Sequence, residues 1–588
     1  MKKQPNTKRG KAAGLAIIII FALLAILFTR PMLTEDDHAI YKAPGDPNFE
    51  AWTLAWDVRE LTHNPTNLFN ANIFYPNEDT LAYSDHQTST ALIAAPLLAI
   101  TGNPIQTANY MLIFNFFLAA LGMYLLAHHL TGNRVAALIA GMMFAFAPAR
   151  VGQMWHLQLT AVGWIPLCLL FLHKYGEEGK WWNAALAVLF LVVQTLATWY
   201  YGLMLTVAII IYLVVRLIMN RKGFTLRWIA VLLVTIIVGA AMIAPFAATY
   251  LKVHAEDPRF VRSLAETNQF SADVRDFFVA SEPNLIWGNL SAGLRKTTVN
   301  RGGPTERSIF PGLLPLVLGV MGAIVLFWKG KGRDRFYVRF YVTLGVAAAV
   351  LCLGTRLYFF GHSVAMPMPY DILYYLFPGF KVIRVPARFI VLVLLALAVL
   401  SAFAVKAIIK RLSEKRSPAV AGIVALVLVG LVFLDVMTAS LPMYKVPLKN
   451  EFASVYTWLA EQPGEAPTTE IPFASFNEKT FKAGLQYEPS WLPKESMRTY
   501  YSTLHWKKLI NGYSGYIPDS YYDAVLATRD FPSKSSIAFL KNEGAKFVIV
   551  HGKQLDPAWL QRVFDYSLKY KDLQPWKVFG KDYVYRLR

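Results

Sequence analysis

Two carboxylates four residues apart, Asp46 and Glu50, are the first groups whose type and spacing could do chemistry. They lie in the run Ala43-Pro44-Gly45-Asp46-Pro47-Asn48-Phe49-Glu50-Ala51-Trp52-Thr53-Leu54-Ala55-Trp56. Gly45-Asp46-Pro47 predicts a turn and helix start, with Asp46 as N-cap and Pro47 at the first helical position. On that helix Asp46 and Glu50 share a face. Trp52 and Trp56 repeat the spacing and suit a headgroup layer. A carboxylate partly desolvated at a membrane surface gains basicity, so Asp46 and Glu50 are candidate general bases. The plainer alternative is a capped interfacial helix with aromatic anchors. Downstream, Asp85-His86 could supply a second acid, metal ligands or sugar contacts, or merely cap a turn before the short apolar stretch 88–100.

A cationic set lies further along. Between Gly354 and Arg388 stand Arg356, Lys381, Arg384 and Arg388 against one acid, Asp371. The planar fork of arginine suits phosphate. Pairing with lipid headgroups is the plainer reading. Arg150 and His156 could join the same pocket.

The elements that must position these groups are membrane helices. Of 588 residues, 55% are hydrophobic and 16% charged, well below the roughly 25% charged fraction of soluble domains. The length rule predicts about eleven spans, near 12–29, 107–127, 135–148, 157–172, 182–199, 202–219, 228–249, 309–328, 337–353, 389–409 and 419–440. Basic connections such as Lys329-Lys331-Arg333-Arg335-Arg339 alternate with longer, less basic ones. The positive-inside rule then predicts a cytoplasmic N-terminus and an extracytoplasmic C-terminus in a multi-pass protein of the cell membrane. The net charge of +20 is therefore read as topology rather than as nucleic-acid binding. Cys168 and Cys352 fall inside apolar runs, so neither a disulfide framework nor a cysteine metal site is indicated.

This predicts a polytopic α-helical membrane module over 1–440, with long outer loops at 30–106, 250–308 and 354–388. A soluble extracytoplasmic α/β domain follows over 441–588. Within that domain 451–461 and 535–542 read as helices, and 469–472 and 546–550 as strands. Its aromatic residues (Trp491, Tyr500, Tyr501, Trp506, Tyr513, Tyr516, Tyr521, Tyr522) suit either carbohydrate stacking or a core.

The run from Gly45 to Trp56 is joined by Asn72-Ile73-Phe74-Tyr75-Pro76, Leu81-Ala82-Tyr83-Ser84-Asp85-His86, Leu130-Thr131-Gly132-Asn133-Arg134 and Phe144-Ala145-Phe146-Ala147-Pro148. Together they resemble the GT-C superfamily, membrane glycosyltransferases that use polyprenyl-phosphate-linked sugars. Arg384-Val385-Pro386-Ala387-Arg388-Phe389 and Asn511-Gly512-Tyr513-Ser514-Gly515-Tyr516 resemble a largely uncharacterised bacterial branch of it. The resemblance implies an acidic base in the first outer loop, matched best by Asp46 and next by Glu50. It also implies that basic residues on outer loops near late helices, here Arg384 and Arg388, hold the lipid phosphate.

The implied reaction is an inverting transfer of a hexosyl or pentosyl group from a polyprenyl-phosphate donor. The acceptor hydroxyl would belong to a lipid-linked glycan, a cell-wall polymer or a protein. Some members of the superfamily carry an Asp-x-Asp or adjacent acidic pair in this loop; none stands near Asp46, since Asp36-Asp37 lies upstream, so a divalent cation (Mg or Mn) is possible but not indicated. The rival classes are a transporter or flippase of a lipid-linked glycan and a non-catalytic glycan-binding scaffold of the cell envelope. A coupled transporter keeps charges in mid-span; the spans here are nearly free of them, Asp435, close to an outer helix end, being the main exception.

Overall fold

The computed structural model describes residues 7–35, 37–257, 260–297, 305–377, 379–439, 441–447, 451–474 and 491–588. Asp36 lies outside them, as does the side chain of Trp491. The chain forms two compact units. The first comprises 1–33, 110–247 and 261–441, and the second 34–109, 248–260 and 442–588.

The first unit is a helix bundle. Among the described residues eight helices are long and apolar enough to cross a bilayer, including Pro104–Thr131, Trp199–Met219, Gly332–Cys352, Pro386–Lys415 and Pro418–Val436. The predicted spans at 12–29, 182–199 and 309–328 coincide with shorter apolar helices, Ala12–Phe28, Trp181–Ala197 and Leu313–Trp328. The helix Ile390–Lys415 sits at the centre, with 390–396 and 398–405 buried. It packs against Leu313–Lys329, Gly332–Cys352, Arg134–Ala145 and Pro418–Val436. Close approach there depends on glycine: a Cβ on Gly322 would lie 2.2 Å from the Leu400 carbonyl oxygen. Small residues at crossings let apolar helices pack without a hydrophobic drive between them.

The span predicted as one helix over 157–172 is broken into Leu157–Thr160 and Trp164–Glu178. Gln194 Nε2 donates to the Ala161 carbonyl at 2.8 Å, satisfying an acceptor freed by the break. Asp435 is likewise structural. Its carboxylate accepts from Trp287 Nε1 at 2.8 Å and from the Leu313 and Leu314 amides at 3.1 Å, capping the helix Leu313–Lys329.

The second unit corrects the expected division. The segment 34–109, assigned from sequence to the membrane module, folds with the C-terminal residues instead. Strand Ala39–Tyr41 pairs antiparallel with Met443–Lys445. Ile40, Ala51 and Ile105 share one core with Val455, Leu459, Tyr500, Phe547 and Val584. Trp52 and Trp56, expected at the headgroups, are buried in this unit. Their indole N–H groups donate to Asn72 Oδ1 and to the Leu68 carbonyl. The predicted C-terminal helices are Glu451–Glu461 and Lys534–Asn542. The sheet holds β1 (Thr468–Ile471), β2 (Phe547–His551), β3 (Leu573–Phe579) and β4 (Asp582–Leu587) in the order β1-β2-β4-β3. β1 and β2 are parallel; the other pairs are antiparallel. Tyr500, Tyr501, Tyr513, Tyr516, Tyr521 and Tyr522 are all buried, so they build core rather than an exposed stacking platform.

Charge is buried at one end of this sheet. His551 faces Asp582 across β2 and β4, with Nδ1 2.9 Å from Asp582 Oδ1. Its Nε2 lies 2.7 Å from Glu470 Oε2, which also accepts from the Tyr456 hydroxyl. Arg498 approaches Glu470 at 3.4 Å and Glu495 at 2.6 Å. Burial alone would lower the His551 pKa, but hydrogen bonds to Asp582 and Glu470 raise it above the usual histidine value. Burial raises the Glu470 carboxyl, and its bond to His551 with the nearby Arg498 charge brings it below the carboxylate range. The His551 contribution is thus fully present below about pH 6.5 and lost as pH rises through the elevated folded value. Thermal unfolding should therefore come earlier as pH rises from 6 to 8, and His551→Gln should flatten that dependence; an unchanged slope would exclude His551 as its source.

Candidate functional site

The helix Asp46–His63 carries the candidate bases of the second unit. Gly45, not Asp46, is its N-cap, with φ 150 and ψ −129. That conformation favours glycine, so the helix start shifts by one residue and Asp46 becomes the first helical residue. Asp46 Oδ1 accepts from the Tyr513 hydroxyl at 2.6 Å. The side chain is half-buried.

Glu50 is in a different position. It is buried, and the Gln87 amide donates to both its carboxylate and its backbone carbonyl. Asp57, passed over in the sequence, is fully buried and accepts from the Gln87 amide N–H at 2.8 Å. Burial pushes its pKa up to about 8, against the Gln87 hydrogen bond. A carboxyl protonated near neutrality cannot take a proton. His86 is buried too, its Nδ1 accepting from the Thr88 amide at the start of the helix Thr88–Thr101 and lying 2.8 Å from Thr88 Oγ1. Burial lowers its pKa to about 3. The structure thus gives His86 a helix-start role, and Asp85 directly precedes it. Among the described residues no three His, Cys, Asp or Glu side chains are grouped to hold a metal.

In the first unit the structure brings Arg388 and His156 together through Glu306, a residue sequence reasoning missed. Arg388 Nε donates to Glu306 Oε2 at 3.2 Å and its Nη2 donates to Oε1, a two-pronged pair. His156 Nε2 stands 3.3 Å from Glu306 Oε1, and Gln153 Nε2 donates to Oε2 at 3.4 Å. Burial would raise the Glu306 carboxyl, but the Arg388 charge and the His156 hydrogen bond hold it well below its ordinary range. Arg388 therefore has an internal counter-ion. No local signal announces it, because Glu306 and Arg388 are 82 residues apart.

Arg384 and Arg150 are placed otherwise. The Arg384 guanidinium lies 4.8 Å over the Phe270 ring, and its amide N–H donates to the Tyr200 hydroxyl at 3.3 Å. The same Tyr200 ring carries Arg388 at 4.5 Å, so one tyrosine connects both arginines. Arg150 is buried, with Nη2 donating to the Thr160 carbonyl at 2.9 Å and the guanidinium 4.9 Å over Phe116. Arg150 Nε and Nη1 and Arg384 Nε are buried without a hydrogen-bond partner. Among the described residues no carboxylate pairs with either arginine.

Comparison with solved structures finds this architecture elsewhere. The arabinofuranosyltransferase AftD from Mycobacteria superposes with a TM-score of 0.57 at 14% identity, over 97% of this chain and 40% of that one. The chain therefore spans about two fifths of the AftD length. Weaker likenesses extend to the oligosaccharyltransferase of Archaeoglobus fulgidus, with a TM-score of 0.48 at 14% identity over 91% of this chain and 69% of that one. ArnT from Cupriavidus metallidurans gives 0.44 at 10% identity over 98% of each chain. No curated protein matches the sequence. The fold is that of the GT-C membrane glycosyltransferases. Residues 9–437 match the family described as "Domain of unknown function (DUF6311)", and the chain belongs to that family.

Proposed function

We infer that the chain is a glycosyltransferase that moves a pentosyl or hexosyl group from a polyprenyl-phosphate donor to an acceptor hydroxyl. The reading rests chiefly on Arg150, a buried guanidinium with two unpartnered nitrogens, and on half-buried Arg384, with one; neither has a carboxylate of its own. A cation desolvated without a counter-ion is costly, and a bound phosphate would neutralise it. The GT-C fold supports the same class of reaction. Arg388 serves the set indirectly: held by Glu306, it fixes the Tyr200 ring whose hydroxyl meets the Arg384 amide.

Asp46 is the base. The Tyr513 hydroxyl bond positions the carboxylate, which takes the acceptor's proton as the acceptor oxygen attacks the anomeric carbon opposite the phosphate. The C–O bond to the sugar forms as the bond to the phosphate breaks, with inversion. The phosphate departs with its electron pair, and cationic side chains preorganised around the growing charge supply the stabilisation. A phosphate leaving group needs no strong general acid, so a buried Glu50 and a protonated Asp57 are no obstacle. The orientation proposed is a cytoplasmic N-terminus, with transfer on the extracytoplasmic face. The acceptor is a lipid-linked glycan, a cell-wall polymer or a protein.

Asp46→Asn keeps the acceptor for the Tyr513 bond but removes the base. Transfer from a radiolabelled polyprenyl-phosphate sugar should fall by about 10²–10⁴-fold with folding intact; near-normal transfer would move the base elsewhere. The arginines should separate. Arg384→Lys should weaken donor binding by at least about tenfold, equivalent to 1.4 kcal/mol, with thermal stability unchanged. Arg388→Lys should also lower the melting temperature in detergent, because Glu306 loses its two-pronged partner. Equal melting temperatures for the two variants would contradict this division.

A further inference from the structure

The loop 354–388 holds an apolar surface that neither catalysis nor packing explains. Strands Leu357–Phe359 and His362–Val364 form a hairpin closed by Phe360-Gly361. The short helix Pro369–Leu376 follows. That helix turns Tyr370 and Tyr374 inward, while Ile372, Tyr375 and Leu376 on the other side are exposed, Leu376 at 72%. At the hairpin tip Phe359 and Phe360 are 54% and 50% exposed. Asp371, the loop's one acid, is turned onto the helix's own start, accepting from the Met368 amide at 3.2 Å. Arg356 and Lys381 remain exposed at the two ends.

The tip is built rather than incidental. Phe360 has φ 49 and Gly361 φ 89, the left-handed pair that a two-residue hairpin turn requires. Asn or Asp usually fills the first position, and a bulky residue there is strained. Buried Asp273 holds it, accepting from the Phe360 and Gly361 amides at 2.9 and 2.6 Å, with Arg275 3.3 Å from its carboxylate. The fold thus fixes an aromatic side chain at an exposed turn it disfavours.

We propose that the hairpin tip and the outer side of Pro369–Leu376 insert into the bilayer surface, with an anionic leaflet as the partner. Two observations select lipid. The segment is tethered at both ends to membrane-spanning helices, Gly332–Cys352 and Pro386–Lys415. The four residues 353–356 before the first strand can reach at most about 14 Å, so the patch stays at the bilayer surface. The exposed charge is basic, which favours anionic headgroups, while aromatic side chains settle at the interface. The inference is independent of the transferase reading.

Site-directed spin labelling of the full chain in nanodiscs tests it. Cys168 and Cys352 are buried, so Phe360→Cys and Leu376→Cys carry the labels, and exposed Leu568→Cys of the second unit serves as an aqueous reference. In phosphatidylglycerol-containing discs both labels should be more accessible to oxygen than to a water-soluble nickel chelate, the reverse of Leu568→Cys. Adding Arg356→Glu and Lys381→Glu should shift them toward the nickel chelate in anionic discs and not in phosphatidylcholine discs. Should Phe360→Cys fail to fold, Leu376→Cys carries the test. Labels open to the nickel chelate, labels shielded from both reagents as in a protein contact, or a charge reversal indifferent to lipid would each overturn the proposal.

Discussion

A charge buried beside a membrane must be neutralised where it stands, and the pair Arg388–Glu306 is where this chain meets that requirement. Two hydrogen bonds join guanidinium and carboxylate, and His156 and Gln153 complete the carboxylate's shell. Removing one partner of such a pair typically costs about 3–5 kcal/mol, because the other charge is left desolvated. Much of the first unit's polar geometry follows from this satisfaction. Arg388 can lie flat on Tyr200, and Tyr200 can meet the backbone of Arg384. Only against that satisfied pair does the unneutralised state of Arg150 and Arg384 carry meaning.

The same logic sorts the carboxylates of the helix Asp46–His63. Glu50 is engaged by Gln87, and Asp57 avoids the cost of ionisation by staying protonated to about pH 8. Asp46, half-buried at the first position of the helix, is held by the Tyr513 hydroxyl. Four carboxylates on one helix, counting Glu60, thus have different surroundings because burial and partners differ along it.

Local pattern was enough to read much of the fold. Long apolar runs mark helices because a bilayer demands length and composition, and the strand Phe547–His551 shows as a short apolar run after Gly544. Long-range pairing was not legible. Nothing near Ala39 announces Met443–Lys445 as its partner, so the folding of 34–109 with 442–588 could not be read. Trp52 and Trp56 show the same limit, since a spacing of four says which residues share a face but not what covers it. At the site, Asp46 and the arginines stood out by residue type, whereas Glu306 had no neighbouring motif and Arg388 looked unpaired without it.

If Arg150 and Arg384 take a polyprenyl phosphate, the protein must distinguish it from the uncharged alcohol. Native mass spectrometry of the purified protein, incubated with equal amounts of undecaprenyl phosphate and undecaprenol, tests it directly. A charge-assisted bond contributes about 1.5–3 kcal/mol, so one such bond should favour the phosphate at least about tenfold. Retention of the phosphate with loss of the alcohol is the predicted result. Equal retention of both lipids would contradict it, since the protein would then be reading the isoprenoid tail and not the charge.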